Sequence, residues 1–327
     1  MTVRLAPVVK LILARVAISV IALIVLSSML FWILEFLPGD FADAILGRGR
    51  TADRLAEIRE AFGLNRPAYV RYFQWMSNAL VLDFGKSWIW WRPVWEIIEP
   101  RFYNSLLLAA LTAGFAVPLG LALGTWAAAR KGTLFDRTTT LGTLVLFSVP
   151  DFVLAYFLAF LFVVTFRIFP AHTAWVRDIS WPVRLHGLAL PVLVLTLISL
   201  APIMRLTRAS ILNVLGNDYI EMAHLKGMSP WRIVLHHALP NAVAPIINVT
   251  LMVTAQLIVG VVIIETLFSY RGMGSYMVES VVRRDLPVVQ ACGMIFAAIY
   301  ILLFLMADII SVLSNPRLHH PNREPMN

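Results

Sequence analysis

Long apolar stretches separated by shorter polar segments dominate the chain. Several exceed the roughly 20 residues that an α-helix needs to cross a hydrocarbon core of about 30 Å. Prolines and glycines interrupt some of them, but transmembrane helices tolerate both where neighbouring helices satisfy the freed backbone groups. The pattern predicts an all-α polytopic membrane protein with about six transmembrane helices, at residues 11–37, 104–129, 138–166, 188–212, 242–268 and 288–313.

The same pattern divides the chain into four parts. Residues 1–37 hold the first span, 38–102 form the one sizeable segment outside the membrane, 103–314 form the core of spans, and 315–327 are a tail. Charged and apolar positions alternate at 54–62 and again at 70–80, which predicts two amphipathic helices in the outer segment.

A tryptophan cluster follows these two predicted helices, and it consists of Trp88, Trp90, Trp91 and Trp95. Tryptophan at membrane level most often marks the interface belt, and we favour that interpretation. A surface that docks a partner or a substrate outside the membrane is the alternative.

Composition supports the membrane assignment and excludes other classes. Of the 327 residues, 59% are hydrophobic and only 14% are charged, too few for the surface of a soluble domain of this size. The net charge of +8 is spread over the loops, so an anionic membrane surface explains it better than a nucleic acid does. The single cysteine, Cys292, allows no internal disulfide. The first apolar stretch is too long for a cleaved signal peptide, so we expect a retained span.

Basic residues in the short loops predict the orientation. If the N-terminus lies in the cytoplasm, the cytoplasmic side carries about twice as many of them as the outer side. We therefore expect both ends to be cytoplasmic, and the segment between spans four and five with them.

That segment, residues 216–241, predicts two short helices joined at a glycine. Gly227 suits the left-handed end of the first helix, and Ser229 and Pro230 suit the first positions of the second. We expect a rigid structure that transmits force to a partner. On the first helix, the predicted apolar side is Ile220, Ala223, Leu225 and Gly227, and the predicted polar residues are Glu221, His224 and Lys226.

The string Glu221-Met222-Ala223, followed by Gly227 and Leu239-Pro240, resembles the Glu-Ala-Ala coupling loop of bacterial ABC-importer permeases. The wider string from Asp218 to Asn241 resembles the dipeptide, oligopeptide and nickel branch of that family. Met222 replaces one alanine of the motif. His237 replaces the isoleucine of the general motif, and a histidine there is common in this branch. Further similar stretches span almost the whole chain: 37–40, 62–67, Tyr72, 83–87, 265–268, 272–274, 285–287, Gln290, Asp308 and 315–317, where Asn315 stands in place of the family's usual aspartate.

The resemblance implies a type I ABC-importer permease fold in a bacterial inner membrane, without an ATPase site of its own. It implies a second homologous permease, two ATP-binding subunits that bind ATP and Mg²⁺, and an extracytoplasmic substrate-binding protein as partners. The implied ATPase-coupling residues are Asp218, Tyr219, Glu221, Ala223, Lys226, Gly227, Leu239, Pro240 and Asn241. The candidates for the gate or the pathway are Glu265, Gly272, Gly274 and Asp285.

Two other sequence patterns do not predict a phosphate-binding or metal-binding site. Gly85-Lys86-Ser87 is similar to the end of a phosphate-binding loop, but Leu80 occupies the position of that loop's first glycine. His236 and His237 are adjacent and would point about 100° apart on a helix, so they do not share a metal ion easily. His319 and His320 lie in the tail. We expect no metal site and no cofactor in this chain.

Two acids fall inside predicted spans, Glu265 near the outer end of span five and Asp308 in span six. Ionisable groups in a membrane are costly, so they are usually paired or functional. Asp308 fits a structural ion pair as well as a functional role.

An ion-coupled secondary transporter is the alternative from a different class, but it would show inverted repeats or charged relays within the spans. Peptides are the expected cargo, and oligosaccharides or nickel complexes are the alternatives.

Overall fold

The computed structural model describes residues 5–36, 53, 56, 59–60, 63, 65–170 and 180–313. Within these residues the chain is almost entirely helical, and its one extended pairing is a bridge between Lys86 and Pro93. Two wider π-helical turns, Phe160–Thr165 and Val234–Ala238, continue the helices before them. The α-helices are α1 Leu5–Glu35, α2 Ala68–Ala79, α3 Val94–Ala129, α4 Leu134–Ser148, α5 Asp151–Ala159, α6 Trp181–Leu215, α7 Asp218–Leu225, α8 Pro230–Ile233, α9 Leu239–Leu267, α10 Met273–Arg283 and α11 Leu286–Leu313.

Five helical stretches in the described residues are long and apolar enough to cross a membrane, and one bent pair would make a sixth. This agrees with the predicted all-α polytopic fold. The second span begins at Val94 rather than at residue 104. Val94 and Ile98 are fully buried there, so packing extends the helix into a stretch that Glu96, Glu99 and Arg101 make polar.

The predicted continuous third span, residues 138–166, is wrong in one respect. It consists of α4 and the helical stretch that begins with α5, and the two are bent by 102°. Val149 between them is extended, with φ −88° and ψ 128°, because a following proline disfavours the helical conformation. Pro150 therefore breaks the span.

The packing divides into two units. The first comprises the described residues within Met1–Val20, Leu107–Tyr270 and Tyr300–Asn327. Its centre is α6, the most buried of the long helices. A methyl group added at Gly124 of α3 would lie 2.7 Å from the carbonyl oxygen of Met204, so these two helices approach each other closely because Gly124 has no side chain.

A buried ion pair joins α4 to α6 in this first unit. Asp136 accepts hydrogen bonds from Nε and Nη2 of Arg208 at 2.6 and 2.9 Å, and from the backbone N–H of Gly132 at 2.9 Å. The bidentate geometry is the strong form of such a pair. It fixes the α3–α4 turn on α6. Near the end of the unit's last span, Asp308 pairs with Arg15 at 3.0 Å, which places this acid in a structural ion pair.

The second unit comprises the described residues within Ile21–Leu106 and Arg271–Ile299. The predicted amphipathic helix at 70–80 is confirmed as α2. The hydroxyl groups of Tyr72 on α2 and Ser28 on α1 lie 2.7 Å apart, and the ring of Phe31 packs on Tyr72 and Trp75. Arg71 pairs with Glu35.

The other predictions for the outer segment have mixed outcomes. Trp90 and Trp91 are half exposed, which is compatible with either interpretation of the tryptophan cluster, while Trp95 packs on Phe84 with ring centroids 6.3 Å apart. Most of the predicted helix at 54–62 lies outside the described residues. The motif at 37–40 and the tail at 315–327 lie wholly outside them.

Candidate functional site

Segment 216–241 begins with the short helix α7. Asp218 and Glu221 occupy its first turn, where acidic side chains interact favourably with the helix dipole. Gly227 has a φ of +76°, so it ends the helix in the left-handed conformation, as predicted. The backbone N–H of Gly227 donates to the carbonyl oxygen of His224 at 2.9 Å, and that of Met228 to Ala223 at 3.3 Å.

One side of α7 packs and the other is exposed. Ile220 and Ala223 are buried and form a small cluster with Ile233 of α8. Leu225, predicted on the same side, is instead 76% exposed. At about 100° per residue it lies about 140° around the helix from Ile220, whereas Ala223 lies only about 60° away. Tyr219 and Met222 are exposed as well, at 47% and 59%.

The sequence predicted a separate short helix in the second half of the segment, and this prediction is wrong. From Pro230 the chain runs through α8 and the π-helical turn into α9, which ends only at Leu267. Pro240 lacks the N–H that a regular helix needs there, and the wider turn directly before it accommodates this missing bond. The segment is therefore continuous with a membrane-spanning helix.

A hydrogen bond joins the two halves of the segment. Asn241 donates from Nδ2 to the Tyr219 hydroxyl at 3.2 Å and to the carbonyl oxygen of His237 at 2.7 Å. Tyr219 and Asn241, both predicted coupling residues, are thus in contact. Leu239 and Pro240 lie in the same first turn of α9. In the described part of the chain Glu221 and Lys226 form no ion pair, so both charges are presented outward.

Three of the four predicted gate or pathway residues, Gly272, Gly274 and Asp285, lie in the other unit, whereas Glu265 lies in the same unit as segment 216–241. Asp285 is only 1% exposed, and it accepts hydrogen bonds from the Ser87 hydroxyl at 2.5 Å and from the backbone N–H of Trp88 at 3.0 Å. The Ser87 hydroxyl in turn accepts from the backbone N–H of Trp90 at 3.0 Å. We call this arrangement of Asp285, Ser87, Trp88 and Trp90 the Asp285 clamp. Ser87, which belongs to the phosphate-loop pattern excluded above, thus anchors the tryptophan turn, which contains Trp88 and Trp90.

The predicted gate residues Gly272 and Gly274 flank the first residue of α10, and both are buried. The backbone N–H of Met273 donates to the Ser105 hydroxyl at 2.8 Å, and the Asn104 side chain donates to the carbonyl oxygen of Arg271 at 2.8 Å. The start of α10 is thereby attached to α3. Neither glycine lies on an exposed wall.

Glu265 lies at the end of α9 and is fully buried. Its backbone carbonyl accepts from the N–H of Tyr270 at 2.8 Å. Burial raises the pKa of Tyr270 to about 12, against the opposing effect of the Arg184 guanidinium. The phenol is therefore protonated at neutral pH and able to donate. Glu265, a predicted gate residue, therefore lies with other polar residues in the interior.

One acid inside a span was missed by the sequence reasoning. Asp151 is the first residue of α5, directly after the break in the third span. The signal was present as an acid within the apolar stretch 138–166, next to Pro150. For metals, no group of three or more histidine, cysteine, aspartate or glutamate side chains comes together among the residues described.

The chain matches two sequence families. Residues 120–320 match the family described as the binding-protein-dependent transport system inner membrane component. Residues 8–109 match the N-terminal part of the membrane component of such systems. The chain therefore belongs to the family of inner membrane components of binding-protein-dependent transport systems. These are permease subunits and not enzymes in themselves.

Curated relatives cover nearly the same length. The chain is 34% identical to the "Probable peptide ABC transporter permease protein y4tP" of Sinorhizobium fredii, over 94% of this chain and 99% of that protein. It is 31% identical to the "Dipeptide transport system permease protein DppB" of Escherichia coli, over 94% of this chain and 98% of that protein. The resemblance noted in the motifs is confirmed along the chain.

Proposed function

We propose that this chain forms half of the translocation pathway of an ATP-driven importer of peptides. The observation that carries the proposal is the exposed side of α7, where Tyr219, Met222 and Leu225 face away from the protein. Apolar side chains in such a position are stabilised when a partner covers them. The names of the relatives support peptides as the cargo.

The partner on this surface would be an ATP-binding subunit that binds ATP and Mg²⁺. The basic residues of the short loops favour both chain ends and segment 216–241 on the cytoplasmic side. The complete transporter would contain a second homologous permease, two ATP-binding subunits and an extracytoplasmic binding protein. That binding protein would dock on outer surfaces that include segment 38–102.

Transport would proceed by alternating access. ATP binding would draw two ATP-binding subunits together, and each would move the α7 helix that it contacts. Two connections would carry this movement into the membrane. One is the packing of Ile220 and Ala223 on Ile233, and the other is the hydrogen bond between Tyr219 and Asn241. Both lead to the continuous helical stretch of α8 and α9, so a rigid-body shift of the segment would tilt that span.

A charge reversal on α7 tests the docking surface. We expect Glu221→Lys to reduce co-purification of the ATP-binding subunits and to abolish transport, while the amount of permease in the membrane stays unchanged. Glu96→Lys is the control, because Glu96 is also an exposed helical acid but lies on α3. Normal co-purification and normal transport with Glu221→Lys would refute the assignment of α7.

A cargo mixture tests the peptide assignment. Proteoliposomes that contain the complete transporter and its binding protein would be offered isotope-labelled peptides of two to five residues, together with oligosaccharides and a nickel chelate. We expect ATP-dependent uptake of peptides, read by mass spectrometry. Uptake of only the sugar or only the nickel chelate would replace the proposed cargo but keep the permease role.

A further inference from the structure

A cavity of about 380 Å³ lies within the first unit, beside the break in the third span. Its size is in the lower part of the range of small-molecule sites, roughly 300–1,000 Å³. Leu195, Ile198 and Pro202 of α6 and Leu257 and Gly260 of α9 give it largely apolar walls. The α6 residues lie near the middle of that helix, the depth at which transporter sites commonly lie, and the α9 residues lie in the second half of theirs.

A few polar side chains interrupt the apolar walls. Asp151 comes from the first turn of α5, Ser199 from α6, Gln256 from α9 and Tyr300 from α11. Among the described residues, neither Asp151 nor Gln256 makes a side-chain hydrogen bond or an ion pair. Two strongly polar groups are thus directed to a cavity without partners from the described chain, and such groups in a membrane usually serve a function.

No ion pair with a cation of the described residues neutralises Asp151. Arg205 lies one turn beyond Pro202 on α6, but its guanidinium sits 5.5 Å from the centroid of the Phe147 ring. Two other acids of this unit's described spans differ in this respect. Asp136 binds Arg208 and Asp308 binds Arg15, so each carries its own counter-charge.

The partial charges of the two helix ends at the break do not set the charge of the site. The end of α4 contributes about −0.5 charge and the start of α5 about +0.5, and these nearly cancel. The full negative charge of an ionised Asp151 then decides the sign. A protonated amino group fits it, since an ammonium supplies three donors and a positive charge.

We propose that Asp151 is a cargo-binding residue, whose carboxylate accepts hydrogen bonds from the α-ammonium group of a peptide as it crosses the membrane. This proposal rests on the proposed peptide import. Gln256 on the facing helix has both a donor and an acceptor for the first peptide bond. The break at Pro150 helps to form this site, because α5 begins there and its first residue, Asp151, lies at the cavity wall.

The test uses the complete transporter with its binding protein in proteoliposomes, and the labelled peptide mixture described above. We expect Asp151→Asn to lower peptide uptake at least about tenfold, because the amide keeps an acceptor oxygen but lacks the negative charge that pairs with the ammonium group. Asp151→Lys should lower it further by repulsion, and Asp151→Glu should restore most of it. The yield of assembled complex and the ATP hydrolysis stimulated by the binding protein should stay within about twofold of wild type.

Asp308→Asn is the matched control, since it removes another carboxylate of a span but not one at the cavity; its peptide uptake should match the wild type. Equal uptake by Asp151→Asn and wild type would overturn the proposal. So would a fall in assembled complex that accounts for the lost uptake, because that result indicates a role at the end of α5. If wild-type transporter imports no peptide, the proposed function and this inference both fail, whereas failure of the variants alone leaves peptide import standing.

Discussion

One side of α7 presents its side chains outward, whereas the Asp285 clamp holds the side chains of Asp285 and Ser87 inward. On α7, Tyr219, Met222 and Leu225 are exposed, and their contacts within the protein are few. In the clamp, Asp285 and Ser87 are almost completely buried and hydrogen-bonded to each other. Both regions match the family motifs, so motif matching alone does not distinguish an exposed surface from a buried anchor.

The difference has a physical consequence. A buried polar group that loses its partner costs folding free energy, because water cannot replace the lost bond. Replacing an exposed side chain costs little folding free energy, but it removes the contact with a partner that binds there. Substitutions in the clamp should therefore lower stability, and substitutions on the exposed side of segment 216–241 should lower coupling at nearly unchanged stability.

The largest effect should follow from Asp285→Ala. The substitution leaves the Ser87 hydroxyl and the Trp88 N–H without their acceptor in the interior, which should lower the free energy of unfolding by about 2–4 kcal/mol. Thermal unfolding of the purified permease in detergent measures it. Glu279→Ala on α10 is the control, since its ion pair with Arg283 is exposed and contributes little. A stable Asp285→Ala protein that no longer transports would show that Asp285 acts in the pathway instead.

A smaller effect should follow from Gly227→Ala. The added methyl group meets nothing within 4 Å, so crowding plays no part. Alanine at a φ of +76° is strained, however, and the cost should be about 1–2 kcal/mol. Because α7 would end differently, coupled ATP hydrolysis should fall in parallel with thermal stability.

Gly114→Ala provides the matched control for that substitution. Gly114 lies within α3 with equally open space around it, and a helical alanine there should be neutral or slightly stabilising. If Gly227→Ala were as stable and as active as Gly114→Ala, the rigid end of α7 would not matter for coupling.

The sequence was sufficient for most of the membrane architecture. Apolar stretches of sufficient length predicted the spans, and Gly227 predicted the end of α7, because both depend on local chemistry. The break in the third span was missed, since a proline within an apolar stretch is compatible with a continuous helix when neighbouring helices compensate. Which outcome occurs depends on packing that a single sequence does not contain.

Long-range contacts account for the rest of the difference. Ser87 and Asp285 are 198 positions apart, so no local pattern indicates that one holds the other. The resemblance identified Asp285 as a gate or pathway candidate, and only the fold reveals its hydrogen bonds to the tryptophan turn. Asp151 was overlooked for the opposite reason: its sequence signal was local, but its importance depends on the cavity that α6 and α9 form beside it.

The smallest effect on stability should follow from Tyr219→Phe. The substitution removes the hydroxyl that accepts from Asn241, but it keeps the exposed ring on α7. A single exposed hydrogen bond contributes about 0.5–1.5 kcal/mol, so the unfolding transition should shift only slightly. Transport should fall more than stability does, because this bond is one of the two connections from α7 to α9. Asn241→Asp is a second probe: its carboxylate accepts from the tyrosine hydroxyl and keeps that connection, but it loses the bond to the carbonyl oxygen of His237. If the Tyr219→Phe transporter couples ATP hydrolysis to transport as well as the wild type does, the packing of Ile220 and Ala223 on Ile233 alone transmits the movement.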